Sequence, residues 1–230
     1  YLRWNKQAYG LGSKEYKNAL PDTMVWKTKE GKLIEPYVKQ YLRHPAYSKY
    51  PVVGISYEQA IAYCKWRTER VKTLSQFTKK YKKIFNNINF EYRLPTKAEW
   101  ESVAKVGHSK KTIKKLEGTK YSGQKTSNLK RGKESDNMGV PGKLNDNTDL
   151  TAPAQSYWPN SLGIYNLLGN VAEMTSEKGM AKGGSWIHYE KEVSIKKDFE
   201  YTEPTNWLGF RCVFEVKDKD LMISPLKEKK

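Results

Sequence analysis

Between residues 108 and 165 the sequence has no period. Gly, Asn, Asp, Ser, Thr and Pro follow one another with neither the recurrence of a helix nor the alternation of a strand. Compact domains hold so long an irregular segment only when function or bound ions order it. The fold must therefore tolerate extensive coil. Its aromatic residues supply the means: seven Trp and sixteen Tyr help bring the aromatic content to 13%, although only 37% of the chain is hydrophobic. Disordered chains lack such residues, and large rings bury much area per side chain. The 230 residues suit one large domain or two small ones.

The flanks carry the local signals. Residues 1–50 are rich in Tyr and Lys with scattered Pro, which predicts an extended or irregular arm, and "PVVGI" follows as a strand-like run. In "SYEQAIAYCKWRTERV", Ser56 is placed as an N-cap with Gln59 three residues on. Ala60, Ile61, Cys64 and Val71 recur at helical spacing, with Cys64 facing the core. A basic insert over 72–92 is expected to be helical in part. "RLPTKAEWESVAKVG" repeats the capping logic with Thr96 and Glu99, gives an apolar stripe of Trp100, Val103 and Ala104, and places Gly107 as a stop. After Gly179, "KGGSWIHY" reads as a strand with close backbone packing and "WLGFRCVFEV" as a strong terminal strand. The expected class is α+β with two main helices, short strands and little regular secondary structure. The expected organisation is an arm over 1–44, a domain over 45–216 and a charged tail over 217–230.

The formal net charge is +17. Nucleic acid, an anionic membrane and an acidic protein all match that sign. The runs "KKYKK", "KKTIKK" and "PLKEKK" read as solvated insertions and ends, with no helix-turn-helix, RNA-recognition or zinc-finger pattern beside them, so nucleic acid is not an expected partner. No apolar run approaches the roughly 20 residues of a membrane-spanning helix. The chain opens on Tyr1 without a visible signal peptide and reads as a mature or trimmed form. Its two cysteines, Cys64 and Cys212, have no CxxC spacing, which argues against zinc and thioredoxin-type chemistry. Composition leaves a disulfide and two free thiols equally open. A bridge closing so long a loop is worth about 4–5 kcal/mol in the chain-entropy model.

Five segments, "YPVVGISYEQAIAYCKWRT", "YRLPTKAEWE", "NSLGIYNLLGNVAEMTS", "KGGSW" and "NWLGFRCVFEV", occur in the order seen in the formylglycine-generating sulfatase-modifying factors. The chain resembles that family over roughly residues 45–216. The resemblance implies an elaborated C-type-lectin-like fold. Within the family, "PDTMVWKTKEGKLIEPYVKQYLRHPAY", "CKWRTERV" and the insertion before "RLPT" resemble the gliding-motility and type IX secretion lipoproteins of Bacteroidetes.

Several expectations follow from the resemblance. It pairs Cys64 with Cys212 in a disulfide, which implies an oxidising compartment. It places a structural calcium on "NLLGNVAE", held by the Asn166 side chain, the Gly169 and Val171 carbonyls and the Glu173 carboxylate, an oxygen set of the kind calcium takes. A second calcium site aligns to "SNLKRG" and "NDNTDLTAP", with Asn128, Leu129, Asp146 and Thr148 as ligands. Catalytic members hold copper with two thiolates, a soft pair suited to Cu(I). Those positions are His188 and Val193 here, beside Ser185, which has no obvious His–Asp partners. No copper is therefore expected, and a site built from His44 and His188 beside Glu190 is the remaining redox arrangement. The implied protein is a non-catalytic structural or binding subunit of the gliding or type IX secretion machinery. It would face the periplasm at the outer membrane, anchored by a lipid upstream of Tyr1, and contact protein subunits and an anionic lipid surface. The alternatives are an oxidase of the same family with altered metal ligands and a lectin-like ligand-binding module.

Overall fold

Helix begins earlier in the chain than its periodicity suggests. The expected irregular arm contains α1 (Leu2–Tyr9), α2 (Lys14–Ala19) and α3 (Glu35–Gln40). Helices this short are marginal alone and depend on packing, and here aromatic rings supply it. The Trp4 ring lies 5.6 Å from Tyr9 and 6.3 Å from Trp66, and Tyr1 lies 5.3 Å from Trp66. Ring clusters of this kind leave no apolar stripe to read. The chain then continues through α4 (Tyr57–Phe77), α5 (Lys79–Phe85), β1 (Phe90–Arg93), α6 (Lys97–Lys105), β2 (Ala172–Met174), β3 (Met180–Lys182), β4 (Asp198–Glu200), β5 (Leu208–Phe210) and β6 (Val213–Val216). This computed structural model describes residues 1–27, 31–85, 88–106, 127–130, 150–157 and 159–217. The architecture is α+β with little regular secondary structure, as expected.

The described chain forms two units. The first comprises residues 1–19, 58–94 and, among the described residues, 212–217. Its frame is α4, which starts immediately after Ser56 and buries Ala60, Cys64, Thr68 and Ser75 along one face. Thr68 ties two elements together: its hydroxyl donates to the Cys64 carbonyl at 3.0 Å and accepts the Tyr92 N–H at 2.8 Å. β1 pairs antiparallel with β6, Tyr92 opposite Phe214. Arg67 stacks on the Tyr92 ring at 4.4 Å. The basic insert is helical through the end of α4 and over α5.

The second unit comprises residues 20–57 and the described part of 95–211. Its sheet has the order β4-β3-β2-β5, with β2 antiparallel to β3 and parallel to β5. α6 opens on the expected capping box: Thr96 Oγ1 accepts the Glu99 N–H at 3.2 Å and Glu99 Oε2 accepts the Thr96 N–H at 2.9 Å. Trp100 and Ala104 are buried with Leu167 and Ile195. A second cluster joins Trp26, Tyr41, Val53 and Val171, with Tyr37 stacked 5.1 Å from Trp26.

Three strand expectations are corrected. "PVVGI" is not a strand: Gly54 donates its N–H to the Thr205 carbonyl and accepts from Asp22, so its backbone serves two loops rather than a ladder. The strand of "KGGSW" ends at Lys182. The close packing does hold, because a Cβ on Gly184 would stand 2.5 Å from Val193 Cγ2. "WLGFRCVFEV" breaks at Arg211–Cys212 into β5 and β6, which join different sheets.

Candidate functional site

The loop from Asn166 to Glu173 is built by three residues with left-handed backbones: Asn166 at φ 50°, Gly169 at φ 81° and Asn170 at φ 67°. Gly169 must be glycine for a second reason. A Cβ there would lie 2.7 Å from the Asn128 carbonyl oxygen. Asn170 is buried and locks the loop on both sides. Its Oδ1 accepts the Ala152 N–H at 2.8 Å, its Nδ2 donates to the Ala152 carbonyl at 3.0 Å, and its own N–H goes to the Asn128 carbonyl at 2.9 Å. Asn128 Nδ2 donates to the Leu150 carbonyl at 2.6 Å. Asn128 and Leu129 are thus packed against the first loop rather than on a separate surface. Asp146 and Thr148, the other half of the second expected site, lie outside the described residues.

Glu173 projects from β2 and is only 5% exposed. Its carboxylate accepts from Trp100 Nε1 of α6 at 2.7 Å and from Arg211 Nε at 2.6 Å, with the Arg211 fork closing on its other oxygen. Arg211 also donates to the Tyr165 carbonyl at 3.0 Å. Burial acts to lower the pKa of Arg211, but the carboxylate beside it outweighs this and holds it above its ordinary value. Arg211 and Trp100 are the site residues that sequence reasoning missed. The tight bidentate geometry makes Arg211, not an ion alone, the partner of Glu173.

Asn166, Val171, Glu173 and Arg211 line one cavity of about 380 Å³. Asn166 Nδ2 donates to the Ala154 carbonyl at 2.9 Å, while its Oδ1 is buried without a hydrogen-bond partner among the described residues. An unpartnered buried amide oxygen beside a carboxylate is the donor chemistry of a hard cation. The residues fit calcium in that respect: Asn166 and Glu173 would hold it, Glu173 through lone pairs its hydrogen bonds leave over. Gly169 directs its N–H to the Gly183 carbonyl at 2.9 Å.

The residues that the resemblance places at the altered catalytic positions follow β3. Ser185, expected to have no obvious His–Asp partners, does meet a histidine: its Oγ stands 2.8 Å from His188 Nδ1, and its backbone N–H donates to the same nitrogen at 3.0 Å. An N–H can only donate, so Nδ1 is an acceptor, the hydroxyl donates to it, and the ring proton sits on Nε2. Burial lowers the pKa of His188 and favours this neutral ring, with Glu192 opposing and Lys130 reinforcing the shift. Phe199 at 4.4 Å and Trp207 at 5.3 Å flank the imidazole. Ser185 is fully buried and Val193 packs into the core. The Ser185 hydroxyl is thus buried in this contact rather than open to solvent. Among the described residues no three His, Cys, Asp or Glu side chains gather to hold a metal ion.

The cysteines belong to the first unit. Cys64 Sγ and Cys212 Sγ stand 3.3 Å apart as thiols in contact. The hydrogen bond between them lowers the pKa of Cys212, which Arg67 lowers further against the effect of burial, and raises that of Cys64.

The family model of the sulfatase-modifying factor enzyme 1-like domain matches residues 7–216. The chain belongs to that family. It is 30% identical to the mouse formylglycine-generating enzyme over 191 residues, covering 72% of this chain and 44% of the relative. It is 28% identical to the bovine inactive C-alpha-formylglycine-generating enzyme 2 over 180 residues, covering 71% and 50%. It therefore spans about half or less of the length of these curated relatives. Among solved structures, Treponema denticola variable protein 1 superposes with a TM-score of 0.44 at 19% identity, over 72% of this chain and 71% of that one.

Proposed function

We propose that this sulfatase-modifying-factor domain is a non-catalytic structural and binding subunit. One observation carries the reading: the two positions that resemblance assigns to the copper thiolates are His188 and Val193, and the chain's two cysteines face each other elsewhere, in the first unit. A neutral imidazole locked to Ser185 and an aliphatic side chain offer no thiolate pair for Cu(I). That relatives of this chain include proteins named inactive alongside proteins named as enzymes is in keeping with such a loss. The test supplies the purified protein with Cu(I) and a cysteine-containing sulfatase peptide. No aldehyde product is expected, and turnover would overturn the reading.

The finer assignment rests on the motif resemblance. The subunit belongs to the gliding-motility or type IX secretion machinery, at the periplasmic face of the outer membrane, and contacts protein subunits and an anionic lipid surface there. In that oxidising setting the Cys64–Cys212 contact becomes a disulfide, and calcium at Asn166 and Glu173 braces the central loop. Among the described residues no helix is long and apolar enough to cross a membrane. Co-purification from the native membrane, with identification of the neighbouring subunits, tests the location.

A further inference from the structure

The basic insert closes α4 with a side chain that does not fit a water-facing helix end. Phe77, its last residue, is 80% exposed, the highest value among the exposed large hydrophobic residues of the described chain. Leu74 lies one turn earlier on the same face and is 49% exposed. The next exposed aromatic is Tyr81, at 46%, in α5. Between residues 70 and 85 the chain carries Arg70, Lys72, Lys79, Lys80, Lys82 and Lys83 and no acidic residue. Lys79 and Lys82 are exposed in the same short helix as Tyr81.

We infer that the end of α4 and the start of α5 seat the protein on an anionic lipid surface, with Phe77 and Leu74 entering the headgroup layer and Lys79 and Lys82 meeting lipid phosphates. The inference gives a place to the lipid contact proposed above and rests on that membrane-proximal reading. Two features favour a bilayer over an acidic protein. A protruding aromatic needs a matching pocket on a rigid partner, whereas the headgroup layer deforms around it. The exposed Lys79 and Lys82 also follow this apolar point within a few residues and share one sign, which is the division of labour of interfacial segments: apolar burial for depth, lysines for attraction to anionic headgroups.

The experiment is co-sedimentation of the intact chain with vesicles of phosphatidylcholine and of phosphatidylcholine mixed with phosphatidylglycerol. The wild type is expected to bind the mixed vesicles and to lose binding as salt rises. Phe77→Ser lowers the partition about tenfold, Phe77→Trp preserves it, and Lys79→Glu with Lys82→Glu removes the preference for anionic vesicles. Phe77 is so exposed that its variants should melt like the wild type, which separates lost binding from lost folding. Failure of the wild type to sediment, or equal binding by Phe77→Ser, overturns the inference. So does Phe77-dependent binding to polyglutamate without binding to vesicles, which would assign the patch to an acidic protein. Location in the native cell is read by the membrane co-purification instead, so the two readings fail separately.

Discussion

At the scale of single residues, Glu173 has two roles that one substitution can separate. Its pairing with Arg211 and Trp100 needs no ion, and its place in the cavity with the unpartnered Asn166 Oδ1 invites one. Removing one partner of a fully buried pair costs about 3–5 kcal/mol. The Arg211 side chain is 28% exposed, so solvent relieves part of that cost. Glu173→Gln keeps an oxygen for Trp100 and is expected to lose about 2–3 kcal/mol in urea unfolding with chelator present. Calcium should stabilise the wild type and leave this variant unchanged. A wild-type melting temperature indifferent to calcium would remove the ion from the site and leave the arginine pair intact. Only part of this is legible in the motif alone. Asn166 and Glu173 were visible because they share a short segment, but Arg211 reaches Glu173 across 38 positions. Ser185 and His188 are three residues apart, yet their contact depends on a turn where the sequence pattern suggests a strand.

At the scale of elements, α6 is keyed to the sheet through one helical face. Lys97, Trp100 and Glu101 reach respectively Asp198 on β4, Glu173 on β2 and Lys182 on β3. Lys182 is fully buried and spans Glu101 at 2.9 Å and Asp198 at 3.0 Å. The hydrogen bond from Lys182 is the main cause of the lowered Glu101 pKa. Burial would raise that of Asp198, but Lys182 and Lys97 together bring it below its ordinary value. Depressed carboxylates contribute stability that is present above their unfolded pKa, near about 4, and is lost as pH falls through the folded value. Stability should therefore decline below about pH 4. Lys182→Met leaves two carboxylates facing each other without their central cation. It should cost about 3 kcal/mol at neutral pH and flatten the acid decline, since protonation then relieves repulsion. Urea midpoints at both pH values measure this, and an unchanged acid slope would show that the lysine does not set it. The capping box that starts α6 was legible because its bonds span three residues. The key was not, because its partners lie 73 to 101 positions away.

At the scale of the whole molecule, the two expected staples act in different units. The cysteine pair joins α4 to the segment leading into β6, and the loop over 166–173 joins β2 to the coil around Asn128 and Ala152. Coil without regular hydrogen-bond ladders gains most from cross-links of this kind, so each staple should leave a local signature. Hydrogen exchange followed peptide by peptide can report the staples separately. Oxidation of the thiols should slow exchange in α4 and β1, by up to the roughly 4–5 kcal/mol that the chain-entropy model gives so long a loop. Cys64→Ser should abolish that response and leave the calcium response of residues 166–173 in place. Calcium should slow exchange over 166–173 in both proteins and do nothing for Glu173→Gln. The thiols start 3.3 Å apart, with Cys212 biased toward thiolate by its Cys64 hydrogen bond and by Arg67. Oxidation thus asks for a small approach of two sulfurs rather than a rearrangement of α4. If oxidised and reduced protein exchange identically in α4, the pair is a packed thiol contact, and the first unit stands on its aromatic clusters alone.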